Sequence, residues 1–136
     1  LGNKFFVSEN GITDNVKKYI EWGLERTREK MIIIVVDRIQ DTNIYVRNNT
    51  RSEQASLRYA LGQGVLIKKY LEKYISDLPQ NKKEKISIIR WDDYIREDPF
   101  CFPIKHTVYN EFKNNPEFAS AVLQAVKKSV KDSKSN

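Results

Sequence analysis

The stretch of sequence that decides the fold is MIIIVVD, residues 31–37. It is an apolar, largely β-branched run that ends in the carboxylate of Asp37, with an amphipathic helix pattern on either side. A strand that is buried on both faces is continuously apolar rather than alternating, so the run predicts a parallel sheet covered by helices. Ligands of such sheets bind beyond the carboxyl ends of the strands, so Asp37 and the loop after it are expected near any site.

Alternating strand and helix patterns extend along the rest of the chain. In order, we expect a helix from Thr13 or Asp14 to Arg28, a strand from Met31 to Val36, a helix capped by Ser52 and ending at Tyr74, a strand from Lys85 to Arg90, a helix from Pro103 to Lys113, and a helix capped by Asn115 with Pro116 at its first position. Capping residues and the spacing of apolar residues set these boundaries. The alternation predicts parallel pairing through right-handed crossovers. The expected fold class is therefore α/β, a Rossmann-like parallel sheet flanked by helices, and because few strands are visible we expect the sheet to be incomplete at both ends.

Length and composition predict one globular domain. The chain has 136 residues and is 40% hydrophobic, enough for a substantial core. We expect the domain to cover residues 1–130 and the polar residues 131–136 to form a frayed tail. The chain opens at Leu1 rather than at a methionine, so the natural protein is expected to begin earlier. No apolar stretch reaches the roughly 20 residues that span a bilayer and no leader pattern is visible, so we expect a cytoplasmic protein.

The sequence offers little that could bind a metal or a nucleotide cofactor. Cys101 is the only cysteine and His106 the only histidine, which excludes an intrachain disulfide and a Cys/His zinc set. Gly62 and Gly64 could be mistaken for the start of a dinucleotide fingerprint, but they follow no strand and open no helix. Close packing against a neighbour is the expected reason for two glycines inside a helix. We therefore expect neither metal nor cofactor, and a surface position for His106.

The long helix after Ser52 separates its residues by chemistry. An apolar stripe lies on one side, and the opposite side carries Arg58, Lys69 and Lys73, with Lys68 beside them; we call these four residues the basic ridge. The chain has a formal net charge of +6, which favours a polyanionic partner. Phosphate contacts position a nucleic acid without reading its bases. The basic ridge is therefore predicted to bind a nucleic-acid backbone, although a solvated helix face is the simpler alternative.

Other side chains are weaker candidates for a site. Asp92 and Asp93 follow a strand, where paired acids are also ordinary turn chemistry. The aromatic residues Trp22, Trp91 and Tyr94 are expected in the core or in the wall of a pocket.

Several segments together resemble the cyclodipeptide synthases. They are Leu1–Phe6, Trp22-Gly23, Val36-Asp37, Arg51–Ala55 and Pro116–Ala119, in this order. The resemblance extends to about Val130 and depends on order and spacing rather than on one diagnostic motif. It implies a Rossmann-like fold similar to the catalytic domain of the tyrosyl and tryptophanyl class I aminoacyl-tRNA synthetases. It also implies an aminoacyltransferase that joins two aminoacyl groups from charged tRNAs into a 2,5-diketopiperazine, with no need for ATP.

The resemblance implies covalent catalysis by a serine. In the family this serine lies in a Gly-x-Ser-x-Gly-Asn turn, and Leu1-Gly2-Asn3 matches the last three places of that turn. The serine is therefore expected immediately before Leu1, so this chain would carry no catalytic nucleophile. The family's catalytic tyrosines and glutamate also have no counterpart here.

Other family roles carry over by position. Gly2 and Asn3 would border the substrate site, and Ile34 and Val36 would line the aminoacyl pockets. The basic ridge of Arg58, Lys68, Lys69 and Lys73 lies on the helix that the family uses for tRNA; family members often have arginines there, and lysine keeps the charge without the planar fork. The expected partner is therefore aminoacyl-tRNA.

Two other functional classes remain open from the sequence. One is a non-catalytic RNA-binding or protein-interaction domain that keeps a synthetase-like fold. The other is a nicotinamide oxidoreductase, which the missing phosphate-binding glycine turn disfavours. The residue before Leu1 distinguishes the synthase from the first alternative.

Overall fold

The computed structural model describes residues 6–38 and 52–134. The elements in chain order are β1 (Val7–Ser8), β2 (Gly11–Ile12), α1 (Asp14–Arg26), β3 (Met31–Val35), α2 (Glu53–Ser76), α3 (Gln80–Lys83), β4 (Ile86–Arg90), α4 (Trp91–Glu97), α5 (Cys101–Asn114) and α6 (Pro116–Lys134). The protein is thus α/β and mostly helical, which confirms the broad class predicted from the sequence. None of the helices in these two ranges combines the length and the apolar character needed to cross a membrane.

The strands form two small sheets. β1 and β2 pair antiparallel, and β3 and β4 pair parallel with Met31 opposite Ile86 and Val35 opposite Arg90. A parallel pair requires a crossover connection, and α2 lies between the two strands in the chain. The predicted β-α-β unit is confirmed.

Capping residues set the helix ends that the sequence predicts best. The Ser52 hydroxyl accepts a hydrogen bond from the Ala55 N–H at 3.1 Å, which satisfies an otherwise unpaired donor of α2. The Asn115 side-chain oxygen accepts from the N–H groups of Glu117 and Phe118 at the start of α6. By contrast, Thr13 makes no side-chain capping bond to α1.

The core lies between β3, α1 and α2. Its buried members are Ile12, Ile20, Leu24, Val35 and Leu71. Successive residues of a strand point to opposite faces, so Val35 shares its face with Met31 and Ile33, which pack against this core. The opposite face of β3 is open, because Ile32 and Ile34 are 57% and 51% exposed. The expectation that both faces of this strand are buried is therefore wrong.

Three segments differ from the sequence-based boundaries. The stretch between α2 and β4, where no helix was predicted, contains the single helical turn α3, and Asp92 and Asp93 lie inside α4 rather than in a turn. The helix α6 continues to Lys134, beyond the point where residues 131–136 were predicted to fray.

The chain divides into two compact units, Leu1–Tyr94 and Ile95–Asn136, where the sequence predicted one domain over residues 1–130. In the second unit α5 packs against α6. On α6, Phe118 and Val122 are half-buried, whereas Ala125 and Val126 are exposed. Packing of this unit therefore covers apolar side chains only in the first half of α6.

Candidate functional site

The carboxyl ends of β3 and β4 meet at a buried carboxylate. Asp37 follows β3, and its side chain is fully buried. One of its oxygens, Oδ2, accepts hydrogen bonds from Nε of Arg90 at 2.9 Å and lies 2.9 Å from Nη2 of the same guanidinium. The other, Oδ1, accepts from the backbone N–H groups of Arg38 and Asp92 at 2.8 and 2.9 Å. Asp37 thereby ties the end of β3 to β4 and to the first turn of α4.

A second ion pair extends this cluster. Nε of Arg38 donates to Oδ1 of Asp92 at 2.7 Å, and Nη1 of Arg90 lies 3.6 Å from Oδ1 of Asp93. The three carboxylates and two guanidinium groups are thus engaged with one another. Buried charges need partners of this kind. The buried pairs of Asp37 and Asp92 hold the strand ends in place, whereas the Asp93 side chain is half exposed.

Small residues let α2 pass close to Asp37. A side chain at Gly64 would lie 2.6 Å from Oδ2 of Asp37, closer than van der Waals contact allows. Ser56, Ala60 and Gly64 lie at four-residue spacing and are all buried. The predicted close packing is confirmed for Gly64 and is wrong for Gly62, whose surroundings are open to 4 Å.

The basic ridge is exposed on α2. Arg58, Lys69 and Lys73 form no ion pair within the ranges 6–38 and 52–134. Lys68 is partly buried and lies 3.9 Å from Glu72, and this carboxylate weakens the contribution of Lys68 to the positive potential of the ridge. The ridge therefore presents a run of cations with little compensation from neighbouring carboxylates.

An open concavity connects the ridge to the strand ends. It has a volume of about 290 Å³ and is lined by Val65, Lys68, Lys69, Glu72, Arg90 and Asp93. Two ridge lysines thus lie beside the guanidinium that holds Asp37. The sequence shows no signal for this arrangement, because Arg90 and the ridge lie in separate elements.

The two predicted pocket residues at the end of β3 and directly after it line an apolar cavity. Ile34 and Val36 contribute to a cavity of about 210 Å³, together with residues of β2, α1 and α2. The positions of Gly2 and Asn3 lie outside the described residues, as does most of the loop after Asp37. The cavity could hold an aliphatic or aromatic side chain, and its walls offer no charge to recognise a polar one.

An aromatic surface on α1 was missed by the sequence analysis. Tyr19 and Trp22 are 66% and 57% exposed and line an open pocket of about 360 Å³ with Asn15 and Lys18. The Arg26 guanidinium lies 4.4 Å from the centre of the Trp22 ring. The prediction that Trp22 lies in the core is wrong, whereas its alternative position in a pocket wall is confirmed. The helical spacing of Lys18, Trp22 and Arg26 was the available signal.

Trp91 and Tyr94 stack on each other with ring centres 5.4 Å apart.

Elsewhere in the first unit, burial and the carboxylate of Glu21, which accepts a hydrogen bond from the phenol, raise the pKa of Tyr74. This contact joins α2 to α1.

The described residues contain no group of three or more His, Cys, Asp or Glu side chains placed to hold a metal ion.

No protein-family model matches the chain, and it has no match among curated proteins or solved structures.

Proposed function

We propose that the complete protein is a tRNA-dependent cyclodipeptide synthase and that this chain contributes its tRNA-binding helix and part of its aminoacyl pocket. The observation that carries the proposal is the basic ridge, because Arg58, Lys69 and Lys73 are exposed on one side of a helix whose other side is buried, and they form no ion pair with any residue that the structure describes. Such a surface neutralises phosphates and releases their counterions. The sequence resemblance supplies the reaction.

The parallel pair β3–β4 supports a Rossmann-like sheet as the proposed architecture. In sheets of that kind the site lies beyond the carboxyl ends of the strands. Asp37 and Arg90 lie at those ends, and the concavity beside them contains the ridge residues Lys68 and Lys69. A tRNA backbone bound along the ridge would therefore pass close to the proposed reaction site.

The proposed reaction has four acyl transfers. The hydroxyl of the serine expected before Leu1 attacks the ester of the first aminoacyl-tRNA, forms an aminoacyl ester and releases the tRNA. The amine of a second aminoacyl-tRNA then attacks this ester, forms a peptide bond and frees the serine hydroxyl. The serine next attacks the ester of the resulting dipeptidyl-tRNA and releases the second tRNA. Finally, the free amine of the dipeptide attacks its ester to the serine, closes the ring and releases the serine hydroxyl. Ile34 and Val36 would enclose an apolar side chain in this scheme, since both line the apolar cavity.

A non-catalytic RNA-binding domain is the second candidate. It is favoured by the pairing at the strand ends, where Asp37 and Asp92 are both occupied by guanidinium groups. A domain with this arrangement would keep the ridge and its salt-dependent binding and would release no product.

The test is to express the complete reading frame in bacteria and to analyse the medium for cyclic dipeptides by mass spectrometry, beside a variant of the residue preceding Leu1. We expect cyclic dipeptides that disappear in the variant. Soluble, well-expressed protein that releases none would contradict the synthase and favour the second candidate.

The ridge is tested separately by Lys69→Glu with Lys73→Glu. Two lost phosphate contacts reduce the slope of log affinity against log salt by about one per lysine. The matched control is Lys127→Glu with Lys128→Glu, two exposed lysines of α6. An unchanged slope in the ridge variant would remove the ridge from tRNA binding.

A further inference from the structure

The outer side of α1 carries two aromatic rings where a surface helix normally carries polar side chains. Tyr19 is 66% exposed and Trp22 is 57% exposed. Tryptophan is usually well covered, because its large ring gains more from burial than most side chains do. The exposure follows from the helix itself, since Ile20 and Leu24 occupy the opposite, buried side.

The two rings line a pocket with polar neighbours. Asn15, Lys18, Tyr19 and Trp22 line a volume of about 360 Å³ that is largely open to solvent and large enough for a flat ring system. Each of these side chains has a distinct capacity. The rings can stack, the Asn15 amide can both donate and accept hydrogen bonds, and the Lys18 ammonium can pair with an anion.

A cation already uses one face of the Trp22 indole. The Arg26 guanidinium lies 4.4 Å from the ring centre and donates a hydrogen bond to the Trp22 carbonyl at 3.1 Å. Glu25 partly compensates Arg26 at 3.4 Å. A ring has two faces, so stacking on Trp22 would sandwich the indole between a flat ligand and a planar cation, an arrangement typical of sites for unpaired bases.

The composition of this surface distinguishes a nucleic acid from a protein partner. The outer side of α1 contains aromatic, amide and charged side chains and lacks any aliphatic one, as Asn15, Lys18, Trp22 and Arg26 illustrate. Trp, Tyr and Arg are also enriched at protein interfaces, but lysine and glutamate are depleted there, and this side of α1 carries Lys18 and Glu25 as well. Aromatic rings interleaved with cations are instead what single-stranded nucleic acids bind.

We propose that the pocket of Asn15, Lys18, Tyr19 and Trp22 on α1 binds an unpaired nucleobase of single-stranded RNA by stacking on Trp22, with Lys18 beside the adjoining phosphate. This site lies on a different helix from the basic ridge. It does not depend on cyclodipeptide synthesis, and it extends RNA recognition from backbone contacts to contacts with a base.

The first test measures binding of fluorescently labelled octauridine to the full-length protein by anisotropy. Loss of one stacked base in Trp22→Ala should weaken binding about tenfold. Trp22→Phe keeps a ring and should stay within about threefold of the original affinity. Tyr109→Ala is the matched control, because Tyr109 is an exposed ring with Lys113 over it at 5.2 Å and lies outside the pocket; its affinity should not change.

Salt dependence separates this site from the ridge. Trp22→Ala should lower the affinity at every salt concentration and leave the slope unchanged, because stacking releases no counterions. Lys18→Glu should reduce the slope by about one. The Lys69→Glu and Lys73→Glu variant changes the salt slope through the basic ridge, which is a different surface. The proposal for the basic ridge and the proposal for the α1 pocket can therefore fail independently of each other.

Two outcomes would overturn the inference. One is wild-type affinity for octauridine in Trp22→Ala, verified as folded by circular dichroism. The other is self-association of the protein, measured by sedimentation, that Trp22→Ala abolishes while RNA binding is unchanged, since this would make the surface a protein interface.

Discussion

The two faces of β3 are both apolar but have opposite surroundings. Ile33 and Val35 point into the core between α1 and α2, whereas Ile32 and Ile34 point away from it and remain about half exposed. Isoleucine and valine favour a strand on either face, so composition alone does not distinguish them. A continuous apolar run therefore shows that both faces of a strand could be buried, not that both are. The helices that pack on one face determine which of its side chains stabilise the fold.

Replacing a residue on each face with a carboxylate tests this comparison most strongly. Val35→Asp would place a charge without a partner at a position that is only 5% exposed, so we expect the loss of cooperative unfolding, or at least about 4 kcal/mol of stability. Ile32→Asp is the matched variant on the open face and should cost about 1 kcal/mol, mainly through β propensity. Chemical denaturation measures both. Equal losses would mean that the open face is covered in solution.

The next effect concerns the ion pair at the end of the covered face. Arg90 pairs with Val35 in the sheet and contacts Asp37, so Arg90→Met leaves a fully buried carboxylate without its guanidinium partner. We expect a loss of about 3 to 5 kcal/mol. Lys17→Met breaks the exposed pair with Asp14 and should cost less than about 1 kcal/mol.

A double variant sharpens this prediction. Asp37→Asn combined with Arg90→Met removes both charges, so its loss should be clearly smaller than the sum of the two single losses. Additive losses would show that the two groups do not interact, contrary to the geometry.

The two glycines of α2 extend the comparison from the strand to its covering helix. Gly64→Ala would push a methyl group into Asp37 and should cost about 2 kcal/mol or more. Gly62→Ala meets open space and should stabilise the protein by about 0.5 to 1 kcal/mol, because alanine restricts the unfolded chain and favours helix. Thermal melting of both variants checks the sign of each change, and stabilisation by Gly64→Ala would contradict the packing described here.

The smallest effect lies at the rim of the core, where Tyr74 meets Glu21. Burial and this carboxylate raise the pKa of Tyr74, so the folded state holds the phenolic proton more tightly than the unfolded chain. The resulting stability is complete below the unfolded pKa of about 10 and is lost as the pH rises through the folded pKa. Tyr74→Phe should therefore flatten the loss of stability above about pH 10, measured by urea unfolding at pH 8 to 11. A slope identical to that of the original protein would exclude Tyr74 as its source.

Local signals in the sequence predicted the local structure well. Ser52 and Asn115 cap their helices, and the parallel pair β3–β4 follows from two strands separated by a long helix. The basic ridge was also predicted, since a helix of known phase places Arg58 and Lys73 opposite its apolar stripe.

Contacts between distant segments were not predictable in the same way. Arg38 and Asp92 are 54 residues apart, and no spacing rule relates them. Asp92 was interpreted as a turn residue because the sequence does not show that it pairs with Arg38. Trp22 was expected in the core or in the wall of a pocket because tryptophan is usually well covered, and only the position of α1 on the sheet shows that its side faces outward.

The pairing of β3 with β4 affects how the protein folds during its synthesis. Asp37 and the backbone N–H of Asp92 that it accepts from are 55 residues apart, and the strands they follow are separated by the same distance. A ribosome adds about 5 to 20 residues per second, so β3 leaves it about 3 to 11 seconds before β4 exists. During that interval the aliphatic residues of β3 lack the strand with which they pair in the folded structure. Slow synthesis of the intervening helix would therefore lengthen the period in which the nascent chain is most prone to aggregate.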